Sequence, residues 1–259
     1  MILDLPIEVA QGYKSQSQIA RVVTEAWMGR NMYCPACSSN KLYDTTPGTE
    51  AVDFVCSQCD APFQLKALSK PIGRKVVDAA YDAMIRAIQR NGLPHFLFLS
   101  YNYSDRKVTD LLLVPRFCLP SSAIEKRNPL AATARRAGWI GCNILLDLVP
   151  PEGRIAIIRS GSIVPKPIVR KCFSQITPLA DFPVKRRGWT LDVLTALRSL
   201  DKSEFTIDDA YSFEALLSHM HPENRHVRPK IRQQLQILRD LGYLDFVGMG
   251  IYRWIRNNP

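Results

Sequence analysis

No run of about 18 consecutive apolar residues occurs anywhere in the 259-residue sequence. A membrane-spanning helix is therefore not expected. The opening Met1-Ile2-Leu3-Asp4-Leu5-Pro6 has no basic head and is broken by Asp4 and Pro6. It does not read as a secretory leader, and a cytoplasmic location is expected. Internal repeats and low-complexity tracts are also missing, which argues against a solenoid or a disordered linker. Negative charge is in short supply: 24 Asp and Glu stand against 34 Lys and Arg, for a formal net charge of +10. A basic balance favours a polyanionic partner. The excess is uneven. Residues 121–172 hold nine Lys or Arg against three acids, and residues 225–239 hold five against none. The four histidines, His95, His219, His221 and His226, have no metal-ligand spacing.

Cysteine is present in an odd number, seven, and four of the seven fall into tight pairs. Without a secretion signal, disulfides are disfavoured and metal binding is favoured. Cys34-Pro35-Ala36-Cys37 and Cys56-Ser57-Gln58-Cys59 are two knuckles with eighteen residues between Cys37 and Cys56. Two residues between thiolates let one turn aim both sulfurs at one ion, and two such turns complete a tetrahedron. A zinc ribbon over about 33–60 is expected. Four sulfurs leave no open coordination position, so the zinc would be structural. Cys118, Cys142 and Cys172 read as plain buried residues.

Apolar periodicity predicts helices over 15–30 and 76–90, and strands over 51–55, 63–67, 95–101, 111–114 and 155–158. A basic loop occupies 120–141. Near 178–188 the pattern breaks, at Pro178, Pro183 and Lys185-Arg186-Arg187. Beyond it come three expected helices, 190–199, 206–219 and 228–241, and a hairpin turning at Gly248-Met249-Gly250. Three helices and a hairpin suggest a winged helix. The division expected is one domain over 1–180 and a second over 181–259.

Asp53 lies just before the second knuckle. Gln64 and Lys66 follow on the next expected strand, where alternation puts both on one face. Asp53, the Gln64 side-chain oxygen and the Leu65 carbonyl are oxygen donors suited to Mg²⁺, and Lys66 suits a developing phosphate charge. This arrangement fits phosphodiester hydrolysis, although polar residues on two strands show the same pattern by chance. Glu25, on the first expected helix, offers a further carboxylate. Its preferred reading is a solvated helical face.

These residues carry a resemblance. Tyr13-Lys14-Ser15 with Thr24-Glu25-Ala26-Trp27, the ribbon enclosing Asp53, Phe63-Gln64-Leu65-Lys66, the stretch 130–144 and Lys230-Ile231-Arg232-Gln233-Gln234-Leu235 are similar to the methyl-directed type II restriction endonucleases of the PD-(D/E)xK superfamily. The resemblance spans nearly the whole chain. It implies an α/β nuclease core, a mixed sheet flanked by helices with the zinc ribbon embedded, followed by a C-terminal winged helix. It implies Mg²⁺-dependent cleavage of both strands of adenine-methylated DNA at Gm6ATC, with Asp53, Gln64 and Lys66 catalytic and no obligate protein partner. One departure stands out: the family's usual second acid is Gln64 here, and a neutral amide holds a divalent cation more weakly.

In the basic loop, Arg135-Arg136-Ala137-Gly138-Trp139 combines arginines suited to phosphate or guanine with a flat apolar face. An N6-methyl group is sensed by apolar contact, and the resemblance assigns Trp139 to that readout; a core tryptophan flanked by solvated arginines has the same sequence. In the last expected helix, Ile231, Leu235, Leu238 and Leu241 form the core face. Arg228, Lys230, Arg232 and Gln233 are then DNA contacts, since arginine pairs with guanine and glutamine with adenine in the major groove. Arg253 would sit near phosphate. A non-cutting methyl-DNA reader with a decayed nuclease site is the competing function, and Gln64 is the feature that favours it.

Overall fold

The computed structural model describes residues 1–46 and 51–255. In chain order, α1 (Gln16–Asn31) precedes β1 (Tyr43–Asp44), β2 (Phe54–Val55), β3 (Pro62–Leu68), β4 (Lys75–Ala80), α2 (Tyr81–Gln89), β5 (His95–Asn102) and β6 (Lys107–Val114). Then follow β7 (Ile124–Lys126), β8 (Gly141–Leu145), β9 (Ile155–Arg159), β10 (Ser162–Ile163), α3 (Lys166–Ile176) and α4 (Val184–Arg198). The C-terminal part holds β11 (Glu204–Thr206), α5 (Ile207–Tyr211), α6 (Glu214–Met220), α7 (Val227–Asp240), β12 (Leu244–Gly248) and β13 (Ile251–Trp254). Among the described residues, no helix is long and apolar enough to cross a membrane.

The chain separates into two compact units. The first comprises residues 1–76, 92–116 and 153–177. Its sheet has seven strands in the order β1-β2-β3-β5-β6-β9-β10. The β3–β5 pair is parallel, with Gln64 opposite Phe96 and Lys66 opposite Phe98; β5–β6 and β6–β9 are antiparallel. β5 explains itself. Phe96-Leu97-Phe98-Leu99 is apolar at every position, and each is at most 1% exposed, as a strand covered on both faces requires. Complete burial of such side chains contributes about 1.5–3 kcal/mol each, which makes β5 the spine on which β3 is laid. α1 packs against β3 through a stripe of Val23, Thr24, Trp27 and Met28. Within that stripe Trp27 is fully buried and donates its indole N–H to the Ile2 carbonyl at 2.9 Å.

The second unit comprises residues 77–91, 117–152 and 178–259, described to residue 255. Trp189, Val193, Leu194, Phe205, Ile231, Leu235, Leu238 and Trp254 form the core of its winged-helix part. α7 closes on Gly242, whose φ of +71° is the left-handed geometry that glycine adopts without a Cβ penalty. The Gly242 and Tyr243 amides donate back to Arg239 and Leu238. The 117–152 segment is fastened to the same core. Ser122 Oγ donates to buried Asp192 at 2.5 Å, and Arg198 pairs with partly buried Glu152 while covering the Trp254 ring at 3.5 Å.

Some expected elements shift. Residues 76–80 belong to strand β4 rather than to a helix; α2 begins only at Tyr81. The sequence there alternates, with Val76 and Asp78 inward and Lys75 and Val77 outward, which is strand periodicity. The helix expected over 206–219 is broken into α5 and α6, with Thr206 and Asp209 forming a reciprocal capping box at its start. α3 was not expected at all; it starts after Pro165 with Pro167 in its first turn, where proline is tolerated.

Candidate functional site

Three groups of side chains carry chemistry. The first is the cysteine cluster. The Sγ atoms of Cys34, Cys37, Cys56 and Cys59 all lie within 4.8 Å of one another, with Cys34–Cys59 at 3.6 Å and Cys37–Cys56 at 3.5 Å. A tetrahedron with metal–sulfur bonds of about 2.3 Å has edges of about 3.8 Å, so the four thiols have the shape to hold one metal ion. Burial pushes the Cys34 thiol up. Burial would raise Cys56 too, but the Gln58 and Cys59 amides hold it down to about 6. Such amide bonds favour a thiolate before any metal arrives. Arg170 on α3 holds the first knuckle, donating to the carbonyls of Cys34 at 3.2 Å and Ser39 at 2.7 Å. The sequence offered no signal for this role.

The second group lies where β2 ends against β3. β2 pairs with β3 only at Phe54–Phe63 and Val55–Pro62. The ladder gains one more bond from the Asp53 amide to the Phe63 carbonyl, at 2.9 Å. Beyond that the Asp53 side chain takes over, and its Oδ2 accepts from the Leu65 amide at 2.7 Å. The carboxylate is thus fastened to the residue between Gln64 and Lys66. Within a strand, the amide and carbonyl of one residue point to the same edge, so the Leu65 carbonyl faces the edge on which Asp53 lies. Gln64, Leu65 and Lys66 are all partly exposed.

Glu25 departs from its expected solvated position. It is half-buried on α1 rather than solvated. Burial raises its pKa above 4.5 against the pull of Arg21, and Asp53 and then Asp44 raise it further. Glu25 therefore lies within electrostatic reach of Asp53. The signal available was its register: it stands beside the inward Thr24 and two residues before Trp27, at the margin of the buried stripe. His95, by contrast, is enclosed between Phe63 and Phe173, and its Nδ1 accepts from the Arg116 amide at 3.1 Å. Burial and then Arg116 push its pKa down to about 3. It is a neutral core residue.

The third group is cationic and belongs to the second unit. Arg135 and Arg136 are exposed, and Trp139 is half-buried with the Arg136 guanidinium 4.9 Å from its ring. The loop is clasped by hydrogen bonds between Leu130 and both Gly138 and Trp139. Trp139 also depends on Gly141, because a Cβ there would lie 2.8 Å from the indole ring. On α7, Ile231, Leu235 and Leu238 are buried, while Arg228, Arg232, Gln233, Gln236 and Arg239 are exposed. Arg228 and Arg232 lie over the Tyr211 ring at 5.1 and 5.6 Å. Arg228 pairs with Glu214 at 2.7 Å and Arg253 with Glu204 at 2.6 Å. Solvent and salt screen exposed pairs of this kind, so either arginine can exchange its partner. Lys230 is half-buried, 5.9 Å from the Trp189 ring, and its Nζ bonds Gln233 Oε1 at 2.7 Å.

Gly141→Ala is expected to displace the Trp139 ring and cost about 1–3 kcal/mol through overpacking. The Trp139 indole resonance and the melting temperature report this. Both unchanged would mean that the ring does not rest on the Gly141 backbone.

The comparison with known families covers both parts. The Dam-replacing family (DpnI) matches residues 1–182, and the Dam-replacing helix-turn-helix domain (DpnI_C) matches residues 185–254. The fold is accordingly α/β, a seven-stranded mixed sheet flanked by helices with a four-cysteine cluster, followed by a C-terminal helix-turn-helix domain. With an N-terminal part that brings Asp53 onto the Gln64-Leu65-Lys66 strand and a C-terminal part that presents a cationic helix, this chain belongs to the Dam-replacing DpnI family.

Proposed function

We propose that the protein is a methyl-directed type II restriction endonuclease, a cytoplasmic phosphodiester hydrolase that cuts both strands of adenine-methylated DNA at Gm6ATC. The observation that carries this reading is the bond between the Asp53 carboxylate and the Leu65 amide. A merely polar strand face needs no carboxylate fixed at that point. Family membership supports the same activity. Residues 1–180 act as the nuclease part and 181–259 as the DNA reader.

Asp53, the Gln64 side-chain oxygen and the Leu65 carbonyl would hold Mg²⁺, all of them hard oxygen donors. Bound there, Mg²⁺ would supply positive charge beside the scissile phosphate and lower the pKa of a water molecule. Lys66 orients that water and stabilises negative charge as it builds on the phosphate. Gln64 supplies a dipole where an acid would supply a charge. Glu25 makes up part of that deficit, as a second carboxylate close to Asp53. Trp139 senses the methyl group, with Arg135 and Arg136 on neighbouring phosphate or guanine. Arg228, Lys230, Arg232 and Gln233 read the major groove and Arg253 approaches the backbone. The four cysteines would hold one structural zinc, and the turn following β2, next to Asp53, would be fixed by it.

The competing reading, a reader that binds without cutting, draws on Gln64 alone. Plasmid from an adenine-methylating host and plasmid from a non-methylating host, each incubated with protein and Mg²⁺, separate the two. Cleavage of the methylated plasmid only is expected; specific binding with no cleavage at any metal concentration would establish the reader instead. Metal analysis of freshly purified reduced protein is expected to find about one zinc per chain.

Two substitutions test the carboxylate balance. Gln64→Glu is expected to lower the Mg²⁺ concentration needed for half-maximal cleavage. Glu25→Gln is expected to slow cleavage by about tenfold or more, equivalent to at least about 1.4 kcal/mol of barrier. Glu25 has a raised pKa in the folded state, so the folded chain binds its proton more tightly than the unfolded chain does. Its contribution to metal-free stability is therefore greatest at low pH and is lost as pH rises from about 4.5 through the raised value. Glu25→Gln should flatten this part of the stability–pH curve. An unchanged curve together with unchanged cleavage would remove Glu25 from the site.

A further inference from the structure

A cavity of about 490 Å³ opens in the second unit beside the start of α7, lined by Lys185, Trp189, His221, Glu223, Arg225 and His226 among others. It is not part of the recognition face already described. Its floor is rigid. The Trp189 and His221 rings stack at 3.8 Å, 15° from parallel, and His221 Nε2 lies 2.8 Å from Asp192 Oδ2, a carboxylate 3% exposed. Its rim is cationic. Glu223 is the rim's acid, and its contact with Lys185 is long, 3.5 Å, between side chains more than 80% exposed. Such a pair holds nothing in place, so Lys185 is available to another anion.

The charge distribution indicates what that anion is. Lys230, on the first turns of α7, has its pKa lowered by burial and then by repulsion from Arg186 and Lys185. Like charges gathered this closely cost stability unless a ligand offsets them. An apolar ligand gains nothing from such a rim. A stacked base is excluded because Trp189 is only 2% exposed and one face is taken by His221. A compact, multiply accepting anion fits. The rim residues Arg225 and His226 immediately precede α7, whose exposed positions include Arg228, Arg232 and Gln233, which puts the cavity at the end of the helix that a duplex would engage.

We infer that this cavity is a phosphate-binding site for the DNA backbone, in which Lys185 and Arg225 clamp a phosphate flanking the sequence read by α7. The inference rests on the reading of the C-terminal domain as a DNA reader and adds to it a contact that positions the duplex and carries no sequence information.

The test uses the full-length zinc-loaded protein without added Mg²⁺, and fluorescence anisotropy of labelled duplexes with and without methylated adenine over a range of salt concentrations. Lys185→Ala/Arg225→Ala alters two exposed side chains, and thermal melting verifies its fold. Losing one phosphate contact should make the slope of log affinity against log salt shallower by about 0.9. Affinity should fall about tenfold, by the same factor for both duplexes, as expected for a charged hydrogen-bonded contact. Arg86→Ala/Arg90→Ala, which removes the same charge from exposed positions of the same unit, should leave both quantities close to native. Native slope and affinity in the Lys185/Arg225 variant would overturn the phosphate site and leave the DNA reader standing. A loss confined to the methylated duplex, or an equal loss in the control, would also overturn it. A native protein that binds no duplex, or prefers polyglutamate, would overturn the reader and the phosphate site together.

Discussion

The bond from the Leu65 amide to Asp53 Oδ2 is the contact on which the N-terminal candidate site turns. It exists because the β2–β3 ladder stops one step early. β2 is only two residues long, so the next amide on β3 has no backbone partner, and a side chain fills the vacancy. An unpaired amide costs about 1–3 kcal/mol when desolvated, which ties the carboxylate to this position. Both strands are restrained from outside. β5 holds β3 through six parallel register pairs, and the knuckle begins at Cys56, immediately after β2. The cysteine cluster is thus a positional constraint on Asp53 as much as a folding device.

Electrostatics in the two units follow opposite logic. Around Glu25, acids are brought together: the charges of Asp53 and then Asp44 both act on it. Mutual repulsion of carboxylates is what a divalent cation relieves. Across the second unit, cations are brought together instead. Arg228 and Arg232 share the face of Tyr211, and Lys230 lies close enough to Arg186 and Lys185 to be perturbed by them. Phosphates relieve that strain. The formal charge of +10 is the sum of these arrangements and describes neither.

The basic loop and the winged helix share one compact unit. Asp192, Ser122, Glu152 and Arg198 join the 117–152 segment to the core of the C-terminal domain through partly buried polar contacts. Contacts shielded from water in this way hold only when geometry is kept on both sides. The loop bearing Trp139 and the helix bearing Arg232 are therefore built on connected supports, although more than ninety residues separate Trp139 from Arg232 in the chain.

Spacing and periodicity by themselves determined much of this protein. The two CxxC pairs announced their cluster, the apolar run of β5 announced a doubly covered strand, and the pattern after residue 180 announced the helices and hairpin of a winged helix. Each is a local signal, readable because it repeats within a turn or along a strand. The weight of Glu25, the support that Arg170 gives the knuckle, the need for Gly141 beneath Trp139 and the cationic cavity at α7 were decided by tertiary structure. In each of these the partners are distant in sequence or their effect depends on burial. A carboxylate has the same identity in water and against a sheet, and only packing determines how much its charge costs.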